Sequence, residues 1–118
     1  MKYLFLAYGD EKRLEAMSTS ERDAFEDACR ANDEMLRQSG HLLAVEGLQS
    51  SRTATTVRVR NGKVSTTDGP FAETKEQLGG YYLINAKDLN DAIQVAARIP
   101  SVRVGSIEIR PIMEHNAP

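Results

Sequence analysis

The sequence predicts an α+β domain whose periodic segments follow one another as β-α-β-(hairpin)-β-α-β. Three features carry this reading. A stripe of apolar residues at helical spacing runs through residues 18–39. Two short runs, KYLFLAY at 2–8 and GYYLINA at 80–86, are apolar on both alternating sets of positions. Asn61-Gly62 separates two strand-like runs, and Asn-Gly is the strongest short-range hairpin signal because a type I′ turn needs φ > 0 at both central residues.

In the first run, Tyr3, Phe5 and Ala7 alternate with Leu4, Leu6 and Tyr8, so the strand is expected to be buried on both faces. The helix over 18–39 opens with Ser18 and Glu21 at capping-box spacing. Its stripe is Ala24, Phe25, Ala28, Cys29, Asn32, Met35 and Leu36, Gly40 stops it, and Glu26, Asp27, Arg30, Glu34 and Arg37 form the solvent face. HLLAVEGL at 41–48 is the second strand, and residues 53–60 and 63–67 are the arms of the hairpin. After the strand at 80–86, Asp88 caps a short helix with Leu89, Ala92, Ile93 and Ala96 inward and Pro100 beyond its end. GSIEIRPIM at 105–113 closes the domain, and the tail holding His115 is expected to contribute nothing. This order is the ferredoxin-like split βαβ plan with an inserted β-hairpin. Two helices cover only one face of such a sheet, yet the first and fourth strands are apolar on both. The economical cover for the second face is another copy of the chain, giving a homodimer: a dimeric α/β barrel with a cavity between the two sheets.

At 118 residues the chain reads as a single domain, 1–118, large enough to bury roughly two thirds of its unfolded surface. A net charge of −2 argues against nucleic acid, which needs a basic footprint, and gives no reason for membrane binding. No segment approaches the ~18–20 apolar residues of a membrane span. The start, MKYLFLAYGDEK, has too short an apolar run for a signal peptide, and a cytoplasmic location is expected. The single cysteine, Cys29, allows neither an intramolecular disulfide nor a thiolate cluster, and its neighbours suit a small buried hydrophobe. Two histidines without nearby partners make no metal site. Dinucleotide, Walker, zincin and nucleophile-elbow motifs are absent, so no cofactor is expected.

Candidate site residues cluster late in the chain. Glu108 and Arg110 alternate with Ile107 and Ile109. If the isoleucines face the helices, Arg110 is buried on the inter-sheet side and needs a carboxylate, either Glu108 or a ligand acid. In DGPFAETKEQLGG at 68–80, Asp68, Gly69 and Pro70 are turn chemistry, and Asp68 is either an Asx-turn anchor or a carboxylate held at a cavity mouth. Phe71 is expected to plug an apolar hole and pin the loop, and AETKEQL to make one or two helical turns carrying Lys75. Gly79 and Gly80 suit sharp re-entry or close approach to a ligand. Tyr81 and Tyr82 point to opposite faces, so one phenol faces the cavity, where it can donate to a bound oxygen. His41, at the helix end, is either a general base or a residue favoured by the helix dipole. Asp68, Tyr82, Tyr81 and His41 are thus the proton-handling candidates. Arg110, Glu108, Gly69, Pro70, Phe71 and Lys75 are the ligand-binding candidates.

DGPFAETKEQLGGYYLI at 68–84 resembles the signature of the DGPF proteins within the YCII-related family. KYLFLAYGDE at 2–11, EGLQSSRTATTVRVRNGKV at 46–64 and IEIRPIME at 107–114 resemble that family's pattern too, so the likeness covers almost the whole chain. The resemblance implies a ferredoxin-like dimeric barrel in a bacterial protein. Some members resemble lyases or dehalogenases acting on small cyclic acids through a His–Asp pair, with Asp68 here as the counterpart of the signature aspartate. Others occur beside or fused to extracytoplasmic-function sigma factors, which implies a regulatory setting. Two functions are therefore expected in competition: binding or transformation of a small, acidic or cyclic organic molecule in an inter-sheet cavity, or a non-catalytic interaction module with a sigma factor as partner.

Overall fold

The computed structural model describes residues 1–114; His115 and the tail after it lie outside the described residues. The chain runs β1 (Lys2–Gly9), α1 (Glu11–Glu15), α2 (Thr19–Gln38), β2 (Leu42–Gly47), a 3₁₀ turn (Ser51–Thr53), β3 (Thr55–Arg60), β4 (Lys63–Asp68), β5 (Gln77–Asn85), α3 (Leu89–Arg98), a second 3₁₀ turn (Pro100–Arg103) and β6 (Gly105–Pro111). Four strands form one sheet in the order β2-β5-β1-β6, and β3 and β4 form a separate two-stranded sheet. Every pairing is antiparallel. The fold is mixed α and β, with antiparallel sheets and three α-helices. It is compatible with the ferredoxin-like plan.

Alternation along the strands sorts the residues of the large sheet into two faces. Tyr3 and Phe5 of β1, Tyr82 and Ile84 of β5, and Leu42 of β2 are buried with Leu36 of α2 and Ala92, Val95, Ala96 and Ile99 from α3 and its end. The other set, Leu4, Leu6, Tyr81 and Leu83, is only half-buried, because no helix among the described residues crosses that face. The molecule is a slab of 53 × 47 × 18 Å. Its radius of gyration, 16.5 Å, exceeds the about 13.5 Å of a compact chain this long.

Ser18 Oγ accepts from the Glu21 amide at 3.1 Å, and the Glu21 carboxylate accepts from the Ser18 amide at 3.1 Å, so the capping box starts α2 as its spacing predicts. Replacing Ser18 with alanine orphans one amide. It should lower stability by about 1 kcal/mol, read as a lower urea midpoint at unchanged slope, whereas Ser18→Asp should restore it. Asn61 and Gly62 both have positive φ (51° and 73°), the type I′ turn the dipeptide predicts.

Four expectations are corrected. Asp10 caps a one-turn helix, α1, that is too short to show periodicity. The AETKEQL segment makes no helix. There the Thr74 hydroxyl donates to the Glu76 carbonyl, and the Gln77 side-chain amide donates to the carbonyls of Ala72 and Thr74. These side chains compete with helical bonding, while Gln77 already pairs with Gly9 in the sheet. On α2 the inward stripe is narrower than its apolar pattern: Leu36 is buried, Phe25, Cys29 and Asn32 are half-buried, and Ala24, Ala28 and Met35 are exposed. On α3, Val95 is buried in place of Leu89 and Ile93, which are exposed.

Candidate functional site

The loop that follows β4 is shaped by backbone conformation and side-chain hydrogen bonds. Gly69 has φ +110°, a conformation that disfavours any residue with a Cβ. Its amide donates to the Ala54 carbonyl at 2.8 Å, and its carbonyl accepts from Thr56 Oγ1 at 2.9 Å. The loop is thereby tied back to β3, and Pro70 follows with a fixed φ. Farther on, Ser106 Oγ donates to Glu76 Oε1 at 2.8 Å, which joins the loop's end to β6.

Facing this loop is α1. The Glu11 carboxylate accepts from the Ser51 amide at 3.0 Å and from the Ser51 hydroxyl, and Arg52 Nη2 donates to Glu15 at 2.6 Å. Those bonds hold α1 against the 3₁₀ turn. Between the two walls lies a cleft of about 590 Å³. Asp68, Gly69, Pro70 and Lys75 line one side, and Glu11, Lys12 and Arg52 the other. The Ser51 hydroxyl, more than any other group, holds the Glu11 carboxyl below the usual range, with the Ser51 amide next. Among the described residues neither Lys12 nor Lys75 makes an ion pair, while Glu15 is paired with Arg52.

The depressed Glu11 carboxyl makes stability depend on pH. Its stabilising contribution is fully present above the unfolded value of about 4.3 and is lost as pH falls through the lower folded value. At pH 7, Glu11→Gln should cost at most about 1 kcal/mol, because the site is solvent-screened. The gap between variant and wild type should close in urea titrations as pH falls through the lowered folded value. A gap that persists there would assign the loss to packing.

Of the ten candidates, Asp68, Gly69, Pro70 and Lys75 come together in this cleft. Phe71 does not plug a hole: it is 82% exposed, with the Arg58 guanidinium 5.9 Å from its ring centroid. The tight bend at Gly69 and Pro70 carries it outward. Arg110 is not buried within the chain. Its side chain is 67% exposed and its guanidinium lies 3.1 Å from Glu108 Oε2, two residues away on the same strand face. The internal carboxylate, one of its two expected partners, is the one observed. Tyr8 Oη donates to the other oxygen of Glu108 at 3.4 Å. Tyr81 lies on the open sheet face with Glu108 and Arg110. Tyr82 faces the helices, because Phe5, its partner across the ladder, is core. Burial pushes the Tyr82 phenol up to about 12, helped by the negative charge of Asp33, so it remains a neutral hydroxyl.

His41 stands apart from Asp68. The His41 carbonyl accepts from the Asn85 amide, whereas the cleft reaches Gln77. These are opposite ends of the nine-residue β5, roughly 26 Å apart. His41 is a structural bridge: Nδ1 lies 2.7 Å from Ser39 Oγ and Nε2 lies 3.3 Å from the Asp91 carboxylate. The Lys87 amide, ahead of His41, holds the Asp91 carboxyl low. Glu11, Lys12, Ser51 and Arg52 carried no sequence signal for the cleft, since the Glu11–Ser51 contact spans 40 residues and neither segment is periodic.

The profile of the YCII-related domain matches residues 1–116. The chain belongs to the YCII-related family. A relative, an uncharacterised protein of Rhizobium meliloti (strain 1021), is 36% identical over 114 residues, covering 95% of this chain and 92% of that protein. In this YCII-related chain no helix among the described residues is long and apolar enough to cross a membrane.

Proposed function

We propose that this YCII-related protein is a homodimer that binds, and by lyase- or isomerase-like proton transfer transforms, a small organic acid in the cleft between the 68–77 loop and α1. The observation that carries this is the cleft itself. At about 590 Å³ it falls in the range of small-ligand sites. Its walls are preset by Gly69, Ser51 and Gln77, and it joins the ammonium groups of Lys12 and Lys75, which make no ion pair among the described residues, to the carboxylate of Asp68. A carboxylate between the lysines and a hydroxyl or acidic C–H against Asp68 suits a hydroxy acid or a lactone acid. The homodimer follows from the open sheet face, where Leu4, Leu6, Tyr81 and Leu83 lie half-buried with Glu108 and Arg110 at their edge. A second copy packing its sheet about 10 Å away would cover them and form the dimeric α/β barrel around an inserted β3–β4 hairpin.

An interaction-module reading has one observation in its favour. The β3–β4 hairpin shows a face of Val57, Val59 and Val64, which are 60, 56 and 70% exposed, and a two-stranded ribbon is marginal alone.

A thermal-shift screen of small hydroxy acids and lactones tests the main reading. A ligand at 100 times its Kd stabilises by about 2.7 kcal/mol. A hit should disappear in Lys75→Ala and weaken in Asp68→Asn, with Arg110→Ala unaffected. Hits that depend on Arg110 and not on Lys75 would move the site to the inter-sheet face. The absence of any hit would favour the interaction module.

A further inference from the structure

The helix-covered side of the sheet contains a hollow that shares no lining residue with the cleft. Its origin lies in the register. Paired positions across the strands run Gly47, Gly80, Ala7, Ile107. The next row runs Val45, Tyr82, Phe5, Ile109 on the same face. At the glycine row the floor of the core drops, because three successive positions carry a methyl group or nothing. Gly80 cannot be larger: a Cβ there would lie 2.8 Å from the Glu46 carbonyl oxygen. At Gly47 a Cβ would meet nothing within 4 Å. Phe25 and Cys29 of α2, Leu14 of α1 and Val104 overhang the space, about 300 Å³ that stays partly open to solvent.

One wall is polar. Among the described residues Ser101 Oγ is buried and meets no strict hydrogen-bond partner, although it stands close enough to the Tyr82 hydroxyl to offset part of that phenol's upward shift. One turn farther along α2, Asn32 Nδ2 and Asp33 Oδ1 are also buried and unpartnered. Buried polar atoms are normally satisfied, and an orphan is costly. Among the described residues no lysine, arginine or histidine lines the hollow. Burial raises the carboxyl of Asp33, and burial followed by the charge of Asp33 raises the thiol of Cys29. A ligand carboxylate would meet no cation there.

We propose that this hollow is a second binding site, for a neutral one- or two-ring compound whose ring rests on Gly47, Gly80 and Ala7 beneath Phe25 and whose single hydroxyl pairs with Ser101 Oγ. Size supports this: an apolar cavity of about 150 Å³ accepts benzene, so the hollow takes about twice that. The chemistry is opposite to that of the cleft, which needs an acid. The helix side also stays free when two sheets pack face to face.

The probes are 2-naphthol, naphthalene and 2-naphthoate, titrated by calorimetry into the full chain. The unique thiol, Cys29, is a second reporter, through its alkylation rate with iodoacetamide. 2-Naphthol should bind saturably and slow Cys29 alkylation several-fold, and 2-naphthoate should bind at least about tenfold more weakly. Ser101→Ala should weaken 2-naphthol about fivefold and leave naphthalene unchanged. Gly47→Leu, which fills the hollow from an unstrained position, should abolish binding of both and slow alkylation without any ligand, with its circular dichroism intact. Should Gly47→Leu fail to fold, the Ser101→Ala contrast between 2-naphthol and naphthalene decides alone. Lack of saturable 2-naphthol binding, equal binding of 2-naphthoate, or a Ser101→Ala effect identical for 2-naphthol and naphthalene would overturn the proposal. None of these outcomes bears on the Lys75-dependent site.

Discussion

Gly105→Ala is expected to be among the most damaging single-methyl additions in this chain, lowering stability by about 3 kcal/mol or more. Gly105 opens β6 opposite Gly9 of β1. A Cβ there would lie 2.0 Å from the Tyr8 carbonyl oxygen and 3.1 Å from the Gly9 Cα. Both atoms are backbone, so no rotamer change relieves the clash, and β6 must lift off β1. That would loosen Ile107 and Ile109, which pack against the core. A loss of that size is a large fraction of the 5–15 kcal/mol that holds a domain together. Urea denaturation gives the value, and Gly47→Ala, with open space around it, is the matched control and should stay within about 0.5 kcal/mol of wild type. Equal, small effects at the two glycines would mean that β1 and β6 do not pair in this register.

Leu83→Lys is expected to separate the proposed homodimer. Leu83 sits in the middle of the open face, between Leu4 and Ala44 on the neighbouring strands. The charge would be forced into a largely apolar contact, at a desolvation penalty of several kcal/mol. In the separated chain the same lysine reaches water along its flexible stem, so the fold should survive. Light scattering should report a shift from twice the chain mass to the single 13.1 kDa, and the melting temperature should become independent of concentration. A wild type already at 13.1 kDa would remove the dimer and leave the open face to another partner.

The strands, α2 with its capping box, the Asn61-Gly62 turn and the short helix after Asp88 were all legible in the sequence. Each depends on nearest-neighbour chemistry: a period of 2 or 3.6, a cap three residues from its partner, a turn that only certain residues can make. Half of the cleft was legible for the same reason, since Asp68, Gly69 and Pro70 announce a rigid bend. Its other half was not. Glu11, Lys12, Ser51 and Arg52 reach it through hydrogen bonds between segments far apart in the chain, and no local pattern encodes those bonds. AETKEQL has helical composition, but its side chains cap their own backbone and β5 claims Gln77. Arg110 was expected to be buried because alternation assigns a face. Alternation cannot say what lies opposite that face, and among the described residues nothing does. The hollow under α2 is the clearest case. Gly47, Gly80 and Ala7 are unremarkable singly and become a cavity only when antiparallel register sets them side by side. Local sequence thus determined the elements, because their energies are local. Tertiary structure alone decided the cleft and the hollow, because each is a gap between elements whose shape depends on register and packing.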